Sequence, residues 1–386
     1  MSINSQPWRV SLSDIDIGEA EANAAAAVIR ERWLTMGPRT REFEAQFAQM
    51  HGSTPETPLH AIAVTNCTAA LHLAYAALGI GAGDEVIMPA MTFVATANMA
   101  VALGARPVFA DIASETEPTI DPAHIEALIT PLTKAIVAVH FAGYASRMDE
   151  ICAIAARHDL PVVEDCAHAP GVPYKDGYLG ALGAAGCFSF FSNKNMTTGE
   201  GGLILTGDEA RGETLGLLRS HGMTSGTWKR HNERPQSYDV VMAGFNYRTD
   251  EIRSAIGLVQ LAKLLDNNAK RAAVTARYRE NLRDYDGAQV AFEGYEGESS
   301  HHILPLLVDE PARRGCVVEA LTDARVQTSH HYIPTHLFDF YRSEYGYGEG
   351  ALPRTEAFSA REITLPMYPT LALDDVDFIC NALRNS

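Results

Sequence analysis

Short apolar runs alternate with helical patterns through the first two-thirds of this chain. That alternation limits the possible folds more than any other feature. The runs span 61–65, 85–89, 107–111, 135–140, 161–165, 187–191 and 203–206. Helical patterns fill most of the gaps, at 68–78, 95–103, 120–129 and 148–158. Such a chain forms a mostly parallel α/β sheet with helices on its faces. Ligands of such sheets gather beyond the carboxyl ends of the strands. An Ala-rich helix is expected at 19–33, and a long helical pattern over 249–285. The chain therefore divides into a large domain, 1–250, and a bridging helix with a smaller domain, 251–386.

Composition narrows the function. With 386 residues, 46% of them hydrophobic, the chain can bury a large core. The formal net charge of −17 argues against nonspecific nucleic-acid binding. One local basic cluster, Lys229, Arg230, His231 and Arg234, is either a solvated loop or a phosphate-facing one. No run of eighteen apolar residues indicates a membrane span. The first residues lack the basic-then-apolar layout of a secretory signal. The six cysteines are scattered without a CxxC pair, which fits reduced thiols in a cytoplasmic protein.

Chemistry concentrates at the ends of the apolar runs. Lys194 follows the run at 187–191 and precedes Thr197-Thr198-Gly199-Glu200-Gly201-Gly202. A lysine fixed between buried strands loses its charge readily, which suits nucleophilic carbonyl chemistry; the plain alternative is a structural turn lysine. Asn66-Cys67-Thr68 turns a strand end into a helix, making either an ordinary capped helix or an anion site built from free N–H groups and the Thr68 hydroxyl. Glu164 and Asp165 end another run, and strand alternation lets only one of them face a given ligand. His168 follows closely. Phe93 either stacks on a flat ring or belongs to the core. The glycine-rich stretches at 79–83 and 180–186 sit in the wrong context for dinucleotide loops. His330, His331 and His336 lack metal-site spacing.

Taken in order, these segments resemble the DegT/DnrJ-type sugar aminotransferases of the PLP-dependent aspartate aminotransferase superfamily. The likeness runs from Trp33-Leu34-Thr35-Met36-Gly37-Pro38 through Asn66–Leu71, Thr92-Phe93, Glu164-Asp165 and the Lys194 segment. It continues at Gly244–Arg248, His331–Pro334 and Leu365–Pro369. The resemblance implies fold type I and the cofactor pyridoxal 5′-phosphate, with pyridoxamine phosphate between half-reactions. Lys194 would hold the cofactor covalently and shuttle protons. Asp165 would pair with the pyridinium nitrogen, Phe93 would stack on the ring, and His168 would lie near its phenolic oxygen. Cys67, Thr68 and Ser189 would hold the phosphate, joined by Asn246 of a partner subunit in a homodimer with shared sites. Thr35, Met36, Gly37, His331 and Tyr332 would approach the sugar, and Lys229 and Arg230 a diphosphate.

The implied reaction moves an amino group from L-glutamate to a ketone of a nucleotide sugar. The Thr-Thr-Gly-Glu-Gly-Gly segment and the similarity over 219–241 point to a 4-keto-6-deoxy sugar, on dTDP, as acceptor. Relatives acting on 3-keto sugars or keto-inositols are the alternatives. A sugar dehydratase of the same fold has histidine where this chain has Lys194. A PLP-binding regulator without turnover is the remaining rival, with no DNA-binding segment to support it.

Overall fold

The computed structural model describes residues 8–224 and 238–385. In chain order the large sheet and its helices are α1 (Glu19–Glu31), α2 (Pro38–Met50), β1 (His60–Val64), α3 (Cys67–Ala77), β2 (Glu85–Pro89), α4 (Ala95–Ala102), β3 (Arg106–Ala110), α5 (Pro122–Leu128), β4 (Thr133–Val139), α6 (Met148–Arg157) and β5 (Val162–Asp165). A two-stranded hairpin, β6 (Pro173–Tyr174) and β7 (Gly177–Tyr178), precedes β8 (Ala185–Ser189), β9 (Gly202–Thr206) and α7 (Glu209–Arg219).

The large sheet has the order β1-β9-β8-β5-β4-β2-β3. Its pairs are parallel except those made by β9, which runs antiparallel to both β1 and β8. The expected α/β sheet is therefore present. β9 runs antiparallel because the loop that joins it to β8, residues 190–201, folds back with no crossover helix. Both sheet faces are covered. Val64, Leu71, Val86 and Val137 pack with α3 and α4 on one side; Phe47, Ile136, Phe188 and Leu261 pack on the other.

Sequence patterns did not call α2, yet its signals are local. Pro38 sits at the first helical position after Gly37, and Phe43 and Phe47 share one face. Gly37 supplies no side-chain cap, so the helix's free N–H groups need another acceptor. Glu251 provides it from the start of the long helix Glu251–Leu282. Its carboxylate accepts the N–H groups of Gly37 (2.7 Å), Arg39 (2.9 Å) and Thr40 (2.9 Å).

The long helix leads to a smaller antiparallel sheet, β10 (Ala288–Val290), β11 (Leu304–Val308) and β12 (Glu362–Leu365). Tyr278, Leu306, Leu321, Ile363 and Ile379 form its core. A separate cluster, with Met91, Phe141, Phe292, Leu307 and Phe358, joins this sheet to the loops beyond the large one. All six cysteines are free, and Cys316 is exposed. Among the described residues no helix is long and apolar enough to cross a membrane.

Candidate active site

The carboxyl ends of β1, β2, β5 and β8 open onto one pocket of about 320 Å³. Each strand end delivers one part of it. After β1, Asn66 caps α3: its side chain accepts the N–H of Ala69 at 2.8 Å. The N–H groups of Cys67 and Thr68, at the first helical positions, have no acceptor within the helix, and both residues line the pocket. Ser189, the last residue of β8, lines the same wall. Three donors thus converge at a helix N-terminus, a cradle suited to a phosphate dianion. Gly202 lets this cradle form. A Cβ there would lie 2.6 Å from the Asn66 carbonyl oxygen and 2.7 Å from the Cys67 nitrogen.

Asp165 ends β5 with its carboxylate in the pocket. One oxygen accepts the Thr96 hydroxyl at 2.8 Å and the other the Ala167 N–H at 3.1 Å. Burial raises its pKa, while the Thr96 and Ala167 hydrogen bonds and the Lys194 charge pull the other way. Glu164 points through the opposite face. It accepts the N–H groups of Gly180 (2.8 Å), Leu182 (2.9 Å) and Gly183 (2.7 Å), with His140 Nε2 at 3.1 Å. Strand alternation, as expected, turns one acid to the pocket and the other to a loop. His140, Glu164 and Cys166 are the described residues close enough to hold a metal jointly. The Glu164 oxygens already receive backbone N–H groups, which leaves that cluster structural. His330 and His336 turn away to Ser359 and Glu356, so they form no joint site with His331.

Lys194 lies in the loop that folds back from β8 to β9. The loop is closed at its base by Phe190 N–H to the Gly201 carbonyl (2.9 Å) and Thr198 N–H to the Phe190 carbonyl (3.0 Å). Gly199 takes a left-handed φ of 78° at the turn. Thr197 and Thr198 are buried and spend their hydroxyls on this backbone. Of the 197–202 motif, Glu200 lines the pocket. Burial lowers the Lys194 pKa to about 8, with Asp165 opposing the shift. Near neutral pH a usable fraction of this amine is therefore unprotonated.

Phe93 lines the pocket and is 59% exposed, which excludes a core role. The chain beyond the long helix closes the opposite side with His302, His331 and Tyr332. His168 Nδ1 accepts the Ala142 N–H at 3.2 Å, so its Nε2 carries the proton and donates to the Tyr332 hydroxyl at 3.1 Å. Burial lowers His331 to about 4 and His168 well below the usual imidazole range. His302, Asn193 and Glu200 were not singled out from sequence, although all three line the pocket. His302 carries no motif, and packing alone brings it next to Lys194.

Other expected residues lie elsewhere in the chain. Thr35, Met36 and Gly37 sit between α1 and α2 and are not among the residues that line this chain's pocket. Asn246 is exposed and bridges Ser220 rather than lining the pocket. Lys229 and Arg230 lie outside the described residues.

The arrangement fits one flat, anionic cofactor. A helix N-terminus takes its phosphate, a buried carboxylate has room for a ring N–H, an exposed phenylalanine meets a ring face, and a lysine of depressed pKa stands beside them.

Comparison with known proteins agrees. Residues 15–384 match the DegT/DnrJ/EryC1/StrS aminotransferase family. The chain is 39% identical over 374 residues to the spore coat polysaccharide biosynthesis protein SpsC of Bacillus subtilis strain 168, covering 96% of this chain and 95% of that protein. It superposes on Helicobacter pylori PseC, an aminotransferase involved in pseudoaminic acid biosynthesis, with a TM-score of 0.90 and 29% identity over 97% of this chain and 98% of PseC. DesI, solved in the presence of its TDP-sugar product, gives a TM-score of 0.85 and 30% identity over 99% of this chain and 93% of DesI.

Proposed function

The chain belongs to the DegT/DnrJ/EryC1/StrS aminotransferase family, and on that premise we propose its substrates and the roles of its residues. It is a PLP-dependent sugar aminotransferase of fold type I. The proposed reaction takes the amino group of L-glutamate to C4 of a dTDP-linked 4-keto-6-deoxy sugar. It yields a 4-amino-4,6-dideoxy sugar and 2-oxoglutarate. The observation that carries this reading is Lys194, with a pKa of about 8, sharing one pocket with Asp165 and the α3 N-terminus. The 197–202 segment and the likeness to DesI support the acceptor.

When bound, PLP supplies an electron sink that neither substrate has. The protein supplies placement and proton control. Cys67, Thr68 and Ser189 hold the phosphate end. Asp165 accepts the ring N–H and keeps that nitrogen protonated. Phe93 covers a ring face. Lys194 would hold the cofactor covalently, and its free amine would take a proton from substrate carbon and return it in the reverse half. A positioned base of this kind contributes about 10²–10⁴ in rate. His331 and Tyr332 face the sugar.

A homodimer and a cytoplasmic setting complete the proposal. Asn246, exposed and not lining its own chain's pocket, is available to a partner's phosphate; a fully active monomer in sedimentation experiments would remove that role. Six free cysteines suit a reducing compartment.

The test supplies dTDP-4-keto-6-deoxyglucose and glutamate, detects the product by mass and locates the amine by NMR. Amination at C4 is expected. An amine at C3, or conversion of a keto-inositol alone, would overturn the acceptor while leaving the aminotransferase standing. Lys194→Ala should lose both the visible band of lysine-bound cofactor and the glutamate half-reaction; turnover by that variant would refute the lysine's role.

A further inference from the structure

Three histidines face the pocket, and a chain of amides fixes one of them in a single tautomer. Asn268 Nδ2 donates to the Pro170 carbonyl at 3.2 Å, which leaves its Oδ1 as an acceptor. Asn195 Nδ2 donates to that Oδ1 at 2.8 Å and to the Ser300 carbonyl at 2.7 Å. Neither partner can donate, so the Asn195 amide has one possible orientation. Its Oδ1 then lies 2.8 Å from His302 Nδ1. A carbonyl oxygen only accepts, so Nδ1 carries the proton. His302 is 4% exposed, and burial together with the Lys194 charge lowers its pKa well below the usual range. In the neutral ring the remaining nitrogen, Nε2, is a lone pair. It lies 3.4 Å from Lys194 Nζ. Arg271 holds the His302 backbone from behind, donating to its carbonyl at 3.1 Å.

We propose that His302 is a positioning residue for Lys194: its Nε2 accepts one N–H of the free lysine amine and so turns the amine's own lone pair toward the pocket. This rests on Lys194 being the cofactor-bearing lysine. A free lysine side chain has several rotatable bonds, and ordering it costs rotamer entropy. The amine is pyramidal. Anchoring one N–H restricts where the lone pair points, and that lone pair must meet a proton on carbon. Asp165 attracts the charged form of the same amine. A neutral acceptor on the small-domain side holds the amine without adding charge. The amide chain keeps that acceptor from turning into a donor.

Three variants and one spectroscopic measurement test this. His302→Leu removes the acceptor, whereas His302→Gln can present an amide oxygen near the same place. With the loaded enzyme, His302→Leu should slow the single-turnover glutamate half-reaction by about 10- to 100-fold. Its apparent glutamate affinity should change little, and His302→Gln should recover much of the rate. Nitrogen NMR of labelled, cofactor-free wild-type protein should show His302 with a protonated Nδ1 and an unprotonated Nε2 across the neutral range. Asn195→Leu should release that single tautomer. An Nε2–H signal in the wild type would overturn the proposal. So would an unchanged half-reaction in His302→Leu, or equal losses in both His302 variants that follow their melting temperatures. Turnover by Lys194→Ala would instead fail the lysine assignment and leave the NMR result intact, so the two failures are distinguishable.

Discussion

The two faces of β5 carry neighbouring acids in opposite situations. On one face the Glu164 carboxylate is saturated from within the chain: the Gly180–Gly183 loop donates three N–H groups and His140 a fourth contact. On the other, Asp165 has two donors, Thr96 and Ala167, and otherwise looks into a pocket lined by a lysine and three histidines. Both acids are buried, and both end one strand. Burial of a polar group therefore does not mark a site by itself. The distinguishing feature is whether the chain satisfies its hydrogen-bonding capacity. A carboxylate that the fold completes is structural. One that the fold leaves partly open has capacity left for a ligand.

The sharpest way to break this comparison is to remove each acid. On the proposed role of Asp165, Asp165→Ala leaves the cofactor's ring nitrogen without its partner. Loss of one member of a buried pair costs about 3–5 kcal/mol, which at 1.36 kcal/mol per decade is about 10²- to 10⁴-fold in kcat/KM. Its melting temperature without cofactor should hold or rise. Glu164→Ala should do the reverse. Three N–H groups lose their acceptor, so stability should fall by about 3 kcal/mol or more, while kcat of the folded fraction stays near wild type. Denaturant melts and kinetics on both variants decide this. A large kcat loss in Glu164→Ala with an intact melt would collapse the distinction between the faces.

Lys194 extends the comparison to pH. Its folded pKa of about 8 lies below the ordinary value of 10.5. Between these values the unfolded chain binds more protons than the folded one, so stability rises with pH across that window. Below about 8 the lysine is charged in both states, and the folded protein carries the cost of burying that charge. Lys194→Met should thus raise the melting temperature of cofactor-free protein at pH 7, by roughly 2 °C or more. The gain should shrink as pH climbs from 8 toward 10. A gain that is constant with pH would mean that the lysine is not held at depressed pKa.

The parts legible in sequence were those with a local cause. Apolar runs marked the strands because they are largely buried on both faces, and Asp165 and Lys194 could be picked out as candidates because each lies at or just beyond a strand end; both line the pocket, as does Ser189, which only the family resemblance had named. Asn66 announced a helix start through its capping side chain. The long-range partners had no such signal. His302 meets Lys194 across 108 positions, inside an undistinguished His301-His302-Ile303 run. Glu251 caps α2 from 211 positions away. The 197–202 motif illustrates a different limit. Its threonines read as chemistry, yet they serve the backbone of the loop, and Glu200 is the member that reaches the pocket.

The smallest expected effect belongs to Phe93. Unlike Phe47, Phe188 and Phe190, which are within 1% of full burial, it leaves 59% of its surface exposed at the pocket rim. Its contribution should therefore appear in binding and be absent from folding. Aromatic pairs contribute about 0.5–1.5 kcal/mol beyond area burial, so Phe93→Leu should weaken PLP binding by about 2- to 10-fold. The melting temperature of cofactor-free protein should not move, because the core does not use this ring. Fluorescence titration of cofactor into the variant reads the first quantity and a thermal melt the second. A destabilised variant with unchanged cofactor affinity would place Phe93 with the residues the fold completes for itself.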